Sequence, residues 1–481
     1  MQPPHSPRHR HAAWRHGRRF VACAAALFAV SATAPHAPAH PGPQDCRIDS
    51  FGQLALDELG AGDYRRIEGG LYPGAVNDCP PDHLDGGKHE GSRVVPRLKN
   101  GTPHPSGQIG VAAIGFSFTS SVFDRMAELA DGDAALTGAL AFANCCQGSA
   151  DLTELRDPAN AYWTDTVPDR LDRAGVDARQ VQVVWMLEGV SDRYETFPDH
   201  VATTADWYTE VLQILTATFP NLRQCWLTPL HWQGWSFSTP SEEPYYFEQG
   251  FAVREVIARQ IAGAPELAWD RRRGSVVAPW IAWGPYLWCD GSEPRVDGLA
   301  MACADYQDDG SHLSPAGNDK LARRLLHHWK GHPACTPWAL ADGSGGAGRM
   351  AAVNRLGEGT RGRYGQPRLS ASALPTVPSA EPYLLRIRHS VRNGYGWLLL
   401  GDSLLPGEGV PFAGGYFRID PIASWQLPLD GLGNGAIDLG EIPDDPALAG
   451  VAYYAQFIAI DREGEDGRHA LSAPLELRLG D

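Results

Sequence analysis

Three side chains, from two distant parts of the sequence, have the types that nucleophilic attack by a serine requires. Ser117 ends the stretch "IGVAAIGFS", and Asp309 and His312 stand three residues apart in "DDGSHLSPAG". A serine hydroxyl is a weak nucleophile until a base takes its proton, and the base needs a third group that fixes its tautomer. His312 can be that base and Asp309 that third group. The residue types therefore predict a Ser-His-Asp site for acyl transfer.

The same residues also have a purely structural interpretation. An acid in the turn before a helix often only caps that helix, and a serine after a strand usually only begins a turn. Each motif alone is short and unspecific. The order of the motifs on an alternating pattern of strands and helices favours the catalytic interpretation.

That pattern runs from residue 109 to about residue 330. Apolar runs typical of buried strands alternate with amphipathic segments, and one such segment has apolar residues at helical spacing: Trp207, Val211, Leu215 and Phe219. Alternating strands and helices predict a parallel sheet covered on both faces, here a flavodoxin-like α/β/α sandwich. Sites in such sheets form at the carboxyl ends of strands. Ser117 and His312 would then lie on the same rim.

Composition divides the rest of the chain. Residues 40–108 are rich in Gly, Pro and Asp and predict a loop-rich N-terminal extension. The α/β/α sandwich at 109–338 follows it and is the predicted hydrolase domain. Residues 339–374 have the glycine content of a linker. Residues 375–481 contain short apolar runs with frequent turn signals, which predict a C-terminal β-sandwich accessory domain.

The first 39 residues have the pattern of a signal peptide. A basic stretch, "RHRHAAWRHGRR", precedes a short apolar run and the small-residue sequence "APA". The run is shorter than the roughly 20 residues that a spanning helix needs, and no later apolar run reaches that length. We therefore expect a secreted or periplasmic protein with no membrane insertion.

The charge of the chain argues against nucleic acid as a partner. The full sequence has a net charge of −16, and without residues 1–39, which hold five Arg and no acid, 36 basic side chains face 57 acidic ones, a net charge of −21. Such a surface repels phosphate backbones and anionic membranes. The sequence does not indicate an oligomeric state.

The cysteines are consistent with export. Removing Cys23 with the signal peptide leaves eight, and an even number in an exported chain predicts disulfides. Spacing alone favours Cys46–Cys79 and Cys289–Cys303. No C-x-x-C motif occurs, which argues against zinc ribbons and thioredoxin-like sites. We expect no metal and no organic cofactor.

The motifs together resemble those of the SGNH hydrolases, the GDSL-type esterases, in a divergent exported branch. The stretch from Asp309 to Gly317 is similar to their Asp-x-x-His-x-x-x-x-Gly block, and Ser117 falls where the family has its nucleophile. "GVSD" at 189–192 aligns with their Gly-x-Asn-Asp block. The resemblance covers roughly residues 105–330.

The resemblance also implies an oxyanion hole. Gly148 in "NCCQGS" matches the family glycine whose N–H joins that hole, and Ser191 stands where the family has an Asn donor. Phe116 replaces the Asp of Gly-Asp-Ser, which is not a triad member. Gly148 could instead be a turn glycine, and Ser191 a solvated turn residue. Losing one oxyanion donor costs about 10²–10³ in rate.

The sequence therefore predicts a serine ester hydrolase that acts on an O-acylated carbohydrate or another small ester. The alternative is a non-catalytic protein that binds carbohydrate or another surface with the same fold. Trp280, Trp283 and Trp288 are interpreted as core, with a sugar-stacking cleft as the second interpretation. The adjacent Glu242 and Glu243 are interpreted as a helix entry rather than a glycosidase pair.

Overall fold

The segment before residue 109 holds more regular structure than its composition predicts. In the computed structural model, which describes residues 46, 49–191, 194–236, 243–342, 349–379 and 381–480, this segment forms two short helices and a small hairpin: α1 (Leu56–Leu59), β1 (Asp63–Tyr64), β2 (Ile67–Glu68) and α2 (Pro81–Gly91). A Cβ added to Gly87 would lie 2.3 Å from the Trp280 ring, so a small residue lets α2 approach the sheet. The predicted signal peptide lies outside the described residues.

Five apolar runs form one parallel sheet, as predicted. Its strands are β3 (Ile109–Gly115), β4 (Leu140–Asn144), β5 (Val181–Leu187), β6 (Gln224–Thr228) and β7 (Trp280–Trp283). They lie in the order β4-β3-β5-β6-β7 and every pair is parallel. This is the strand order of flavodoxin-like sheets. Every residue of β3, β5, β6 and β7 is buried, which explains their continuous apolar runs.

Helices follow the strands in the predicted alternation. They are α3 (Ser117–Asp131), α4 (Leu152–Leu155), α5 (Val167–Arg173), α6 (Asp199–Thr218), α7 (Tyr245–Ile261), α8 (Pro315–Gly331) and α9 (Thr336–Ala339). Helix α3 packs on α8, and α6 packs on α7. Right-handed crossovers place these two pairs on opposite faces of the sheet. Trp280, Trp283 and Trp288 are buried in the core, so their rings are not exposed for stacking on a sugar.

The C-terminal part is built from antiparallel strands. They are β8 (Ala352–Arg355), β9 (Arg368–Ala371), β10 (Leu384–Arg388), β11 (Tyr395–Leu404), β12 (Val410–Phe412), β13 (Gly415–Phe417), β14 (Ile419–Pro428), β15 (Gly435–Asp438), β16 (Ala452–Ile460), β17 (His469–Leu471) and β18 (Leu475–Arg478). One sheet has the order β14-β11-β16-β18-β8, with β17 on β16, and another has the order β15-β10-β9. Side chains from both sheets form a second buried cluster that includes Leu385, Leu398 and Phe457.

The predicted linker contains two of these strands. Strand β8 pairs with β18, and β9 pairs with β10, so part of residues 339–374 belongs to the C-terminal sheets. The short apolar alternation in "AAVNR" and "PRLSA" is sufficient for a strand when a partner edge is present. A glycine-rich composition therefore does not exclude sheet structure here.

The C-terminal strands also contact the α/β part. Arg355 Nη1 donates to the Glu58 carbonyl at 2.8 Å, and the Ala371 N–H donates to the Val296 carbonyl at 2.8 Å. The described residues all belong to one compact unit, Pro41–Asp481. The division into a hydrolase domain and an accessory domain stays a prediction from the sequence.

The predicted disulfide pairs are wrong. Cys46 is bonded to Cys303, with their Cα atoms 5.9 Å apart, while Cys79 and Cys289 are free thiols. The reason is packing across 257 residues of sequence: the chain after Cys46 lies along Asp290, whose carboxylate accepts hydrogen bonds from Ser50, Phe51 and Gln53. Spacing along the chain carries no information on such a contact.

None of the described helices combines the length and the apolar character that crossing a bilayer demands.

Candidate active site

Ser117, His312 and Asp309 form a continuous row of hydrogen bonds. Ser117 Oγ lies 2.7 Å from His312 Nε2, and His312 Nδ1 lies 2.6 Å from Asp309 Oδ2. The serine and the histidine are 195 positions apart in the sequence, and they meet because the end of β3 and the turn before α8 lie on the same rim of the sheet. The three residues predicted from the sequence are therefore brought together.

The hydrogen bonds also define where the protons are. Partial burial alone would raise the pKa of Asp309, but hydrogen bonds from the backbone N–H of Ser311 and from His312 outweigh it and hold that pKa below its ordinary value. An ionised carboxylate can only accept, so His312 Nδ1 carries a proton. Nε2 then has the free lone pair, which accepts the hydrogen bond from the Ser117 hydroxyl. This is the tautomer that a general base needs.

The end of β3 places Ser117 at the first position of α3. The preceding Gly115 has φ of +150°, and a Cβ there would lie 2.5 Å from the Leu187 carbonyl oxygen and 2.6 Å from Thr119 Oγ1. Only glycine fits this tight turn from strand to helix. At the helix start the backbone N–H of Ser117 has no acceptor within the described part of the chain. A free N–H thus lies beside the hydroxyl.

Gly148 is adjacent to Ser117. A Cβ built on Gly148 would lie 3.8 Å from Ser117 Cβ. The loop after β4 lies against the end of β3, where the Gln147 N–H donates to the Gly115 carbonyl at 3.0 Å. Among the described residues no acceptor is found for the Gly148 N–H either. The N–H groups of Ser117 and Gly148 are two donors of the kind that an oxyanion requires.

Ser191 is in a different situation. Its hydroxyl donates to Asp151 Oδ2 at 2.8 Å, and its N–H donates to the same oxygen at 3.0 Å. Asp151 is itself buried and caps α4 by accepting from the Thr153 N–H. In this arrangement neither donor of Ser191 is directed to an oxyanion. The structure therefore does not bring Ser191 together with Ser117 as a free donor.

The loop after β6 supports the site, and the sequence interpretation missed it. Gln233 Nε2 donates to the Ser311 carbonyl at 3.0 Å, while Ser311 Oγ donates to Gln233 Oε1 at 2.6 Å. Gly310 has φ of +65°, and a Cβ there would lie 2.1 Å from the Trp235 carbonyl oxygen. The turn that carries Asp309 and His312 is thus packed and hydrogen-bonded against this loop. The only sequence signal was a run of polar and aromatic residues, "HWQGW", after a strand.

His231 in the same loop is buried next to the site. Burial and the nearby His312 lower the pKa of His231 to about 3, so its ring is neutral. Its Nε2 lies 3.1 Å from Gln233 Nε2, and its ring packs against Phe118 and Tyr306. The ring therefore supports Gln233 from the core side.

Glu243 accepts hydrogen bonds that connect the loop after β6 to the rest of the core. Its carboxyl accepts from the Gln233 N–H at 3.1 Å, from Trp288 Nε1 at 3.0 Å and from the Phe247 N–H at 3.3 Å. Burial raises the pKa of Glu243 to about 8. The buried carboxyl thus connects this loop to Trp288 and to the start of α7. Glu242 lies outside the described residues.

The site is open to solvent. The His312 side chain is 44% exposed, and Ser117 is half-buried. A cavity of about 600 Å³ lies elsewhere, lined by Glu293, Arg368, Arg388 and other residues that do not include Ser117. An open rim can admit an ester on a large molecule as well as a small one.

An ion pair joins the two helices that flank the site. Arg125 on α3 contacts Asp319 on α8 with Nη2 and Oδ1 2.6 Å apart. At about one-third exposure the pair contributes little to stability. The position of the helix that begins with Ser117 relative to the helix that follows His312 therefore depends mainly on the packing of α3 on α8.

Comparison with known proteins gives no family. No family model matches the chain, and no curated protein matches it. A solved GDSL-like lipase from Parabacteroides merdae is 13% identical, covering 46% of this chain and 95% of that one, with a TM-score of 0.24. The periplasmic domain of a lipopolysaccharide acetyltransferase from Salmonella ser. Paratyphi A is 16% identical, covering 51% and 95%, with a TM-score of 0.26. Similarities this low carry no argument about fold or function.

Proposed function

We propose that this chain is a serine ester hydrolase of the SGNH type. The observation that carries the proposal is the row of hydrogen bonds from Ser117 Oγ through His312 to Asp309, at 2.7 and 2.6 Å. The row lies at the carboxyl ends of parallel strands, where sites of this sheet architecture form. Its order of nucleophile, base and orienting acid is the arrangement that activates a serine.

The proposed reaction has two halves. Ser117 Oγ attacks the ester carbonyl while His312 Nε2 takes the hydroxyl proton, and the leaving alcohol then receives that proton from His312. Water repeats the sequence on the acyl-serine, with His312 again as base, and the carboxylic acid leaves. Asp309 stays ionised and stabilises the imidazolium that forms in each half.

The oxyanion of each tetrahedral intermediate would be held by the N–H groups of Ser117 and Gly148. This assignment is supported by the Ser117 N–H at the start of α3 and by Gly148, where an added Cβ would lie 3.8 Å from Ser117 Cβ. Ser117 is the first residue of α3, so the positive end of that helix dipole favours a negative charge that develops beside it. Ser191 contributes only if it leaves Asp151.

The substrate we propose is an O-acylated carbohydrate or another small ester, met outside the cytoplasm. The predicted signal peptide at 1–39 supports export. The open rim around His312 supports access for an acyl group on a larger molecule. The strands of 375–481 would then form an accessory module beside the hydrolase domain.

A non-catalytic binding protein with the same fold is the second candidate. The observation that favours it is the engagement of Ser191 with Asp151, which leaves the oxyanion site without its third family donor. An enzyme that lacks this donor is expected to have a rate lower by about 10²–10³. In the extreme case the protein binds its ligand without hydrolysing it.

Turnover of a short-chain aryl ester separates the two candidates. We expect Ser117→Ala to lower turnover at least about 10³-fold, since members of a triad act as a unit. Ser121→Ala is the matched control: Ser121 lies one turn later on α3, and its hydroxyl donates only to the Phe118 carbonyl. If Ser117→Ala turned over the ester as fast as wild type, Ser117 would not be the nucleophile. If wild type showed no turnover, the result would support the binding protein.

A further inference from the structure

His328, His332 and Cys335 form a buried cluster at the far end of α8 from the proposed active site. One potential ligand atom from each residue lies within 4.8 Å of those of the other two. The two imidazole rings lie side by side with centroids 5.0 Å apart. We propose that this cluster binds one transition-metal ion of the zinc class.

The chain order brings the three ligands together locally. His328 is on the last turn of α8, and His332 directly follows the helix with its N–H still bonded to the His328 carbonyl at 2.8 Å. This spacing of four residues keeps the two side chains on the same side of the chain. The backbone then turns, and Cys335 stands directly before α9. The spacing H-x₃-H-x₂-C is not a C-x-x-C motif, so a search for paired cysteines does not find it.

The three side chains of the cluster are more buried than is usual for polar groups that lack hydrogen-bond partners. His328 is 7% exposed, His332 is 8% exposed and Cys335 is fully buried. His328 Nε2 is buried and has no hydrogen-bond partner among the described residues. A buried polar atom without a partner is costly and calls for a ligand. A metal ion supplies that partner.

A cavity gives access to the histidines. It has a volume of about 400 Å³, and His328 and His332 are on its wall together with Leu84 and Met350. Cys335 is not on the wall and is fully buried. An ion can therefore enter from the cavity side, and water in the cavity can take the fourth position that three protein ligands leave open.

Binding requires the donor atoms to move closer together. Tetrahedral zinc bonds of 2.0–2.3 Å place ligand atoms about 3.5 Å apart, so the cluster has to contract by about 1 Å. His332 Nδ1 now accepts from the Ala334 N–H at 3.2 Å. This long bond is displaced if the ion takes Nδ1. Trp226 contacts both rings edge-on, with centroids 5.0 and 4.7 Å away, and restricts how far they can turn.

The ligand types define the class of metal. Two imidazoles and a thiolate suit zinc, and cobalt in its place, and are poor ligands for magnesium or calcium. The cluster lies about 20 Å along α8 from the start of the helix at Pro315. The ion would tie the end of α8 to α9, and it would have no direct contact with Ser117.

The test measures metal binding by the full chain after dialysis against a chelator. Cobalt(II) alone is titrated into the protein, and we expect one equivalent to bind with a thiolate-to-metal charge-transfer band. Zinc should displace it and raise the melting temperature. His328→Gln and Cys335→Ser should each weaken cobalt binding at least 10-fold, and Cys335→Ser should remove the band.

His327→Gln is the matched control, because His327 lines the same cavity one residue away but is not part of the cluster. It should bind cobalt as wild type does. If Cys335→Ser does not fold, Cys335→Ala and His332→Gln provide the same comparison. Wild type that binds less than a tenth of an equivalent, or a band that survives all cluster variants, would overturn the proposal and leave the histidines as core packing against Trp226.

Discussion

Ser191 donates both its hydroxyl and its backbone N–H to one carboxylate oxygen of Asp151, at 2.8 and 3.0 Å. The residue that the family resemblance assigns to the oxyanion is therefore occupied by a structural contact. Asp151 also caps α4 through the Thr153 N–H, so the contact is part of a small buried network. The proposed oxyanion hole would then depend on the backbone N–H groups of Ser117 and Gly148.

This arrangement predicts the effect of changing Ser191. Ser191→Ala should leave kcat for an aryl ester within about 3-fold of wild type, because the lost hydroxyl donates to Asp151 and not to the oxyanion. Ser191→Asn should raise kcat if its amide reaches the oxyanion. A 10-fold fall in kcat for Ser191→Ala, with KM unchanged, would show that the hydroxyl turns to the oxyanion during reaction.

Gly148 allows the backbone N–H to be tested by itself. Gly148→Pro removes the N–H, and we expect kcat to fall about 10²–10³-fold, as for loss of one oxyanion donor. Gly148→Ala keeps the N–H, and its Cβ would make an ordinary 3.8 Å contact with Ser117 Cβ, so it should stay near wild type. Circular dichroism checks that both variants fold. Equal activity in the two would remove Gly148 from the oxyanion hole.

Gln233 is predicted to be a positioning residue for the turn that carries His312. Gln233→Ala removes its hydrogen bonds with Ser311, so His312 should lose alignment and kcat should fall about 10-fold, or about 1.4 kcal/mol, while KM changes less than 2-fold. Gln213→Ala is the control, since Gln213 donates only to the Glu266 carbonyl on an exposed helix face. A rise in KM alone would assign Gln233 to substrate binding instead.

Glu243 predicts a pH dependence of stability. Burial raises its pKa to about 8 from an ordinary value of 4.5, so the folded protein keeps a proton that the unfolded chain loses above pH 4.5. The free energy of unfolding should therefore fall as pH rises from about 4.5 to 8. Glu243→Gln removes this contribution, so chemical unfolding should show a smaller fall than in wild type. Parallel curves for the two proteins would mean that Glu243 is ionised in the folded state.

The sequence predicted the parts of the molecule that depend on local pattern. The five parallel strands are runs of buried apolar residues with helical periodicity between them, and Asp309 and His312 lie on one turn. The closeness of this turn to Ser117 was predicted from the rule that the carboxyl ends of parallel strands lie on the same rim of the sheet. Each of these features is visible in a window of about 20 residues or in the order of the windows.

The remaining features depend on contacts that the chain makes over long distances. The disulfide joins Cys46 to Cys303 because the N-terminal segment packs along Asp290. Ser191 is engaged because α4 places Asp151 beside it. Gln233 supports Ser311 across 78 residues. No spacing or periodicity reports such pairs, since side-chain packing decides them.

The central claim is that Ser117 is a nucleophile activated by His312, and labelling with a fluorophosphonate tests it most directly. The reagent phosphonylates an activated serine whatever the natural substrate is, and peptide mass spectrometry locates the label. We predict stoichiometric labelling of Ser117 in wild type and labelling at least 10³-fold slower in His312→Ala. The claim would be contradicted if folded wild type stayed unlabelled at Ser117, or if His312→Ala were labelled there at the wild-type rate.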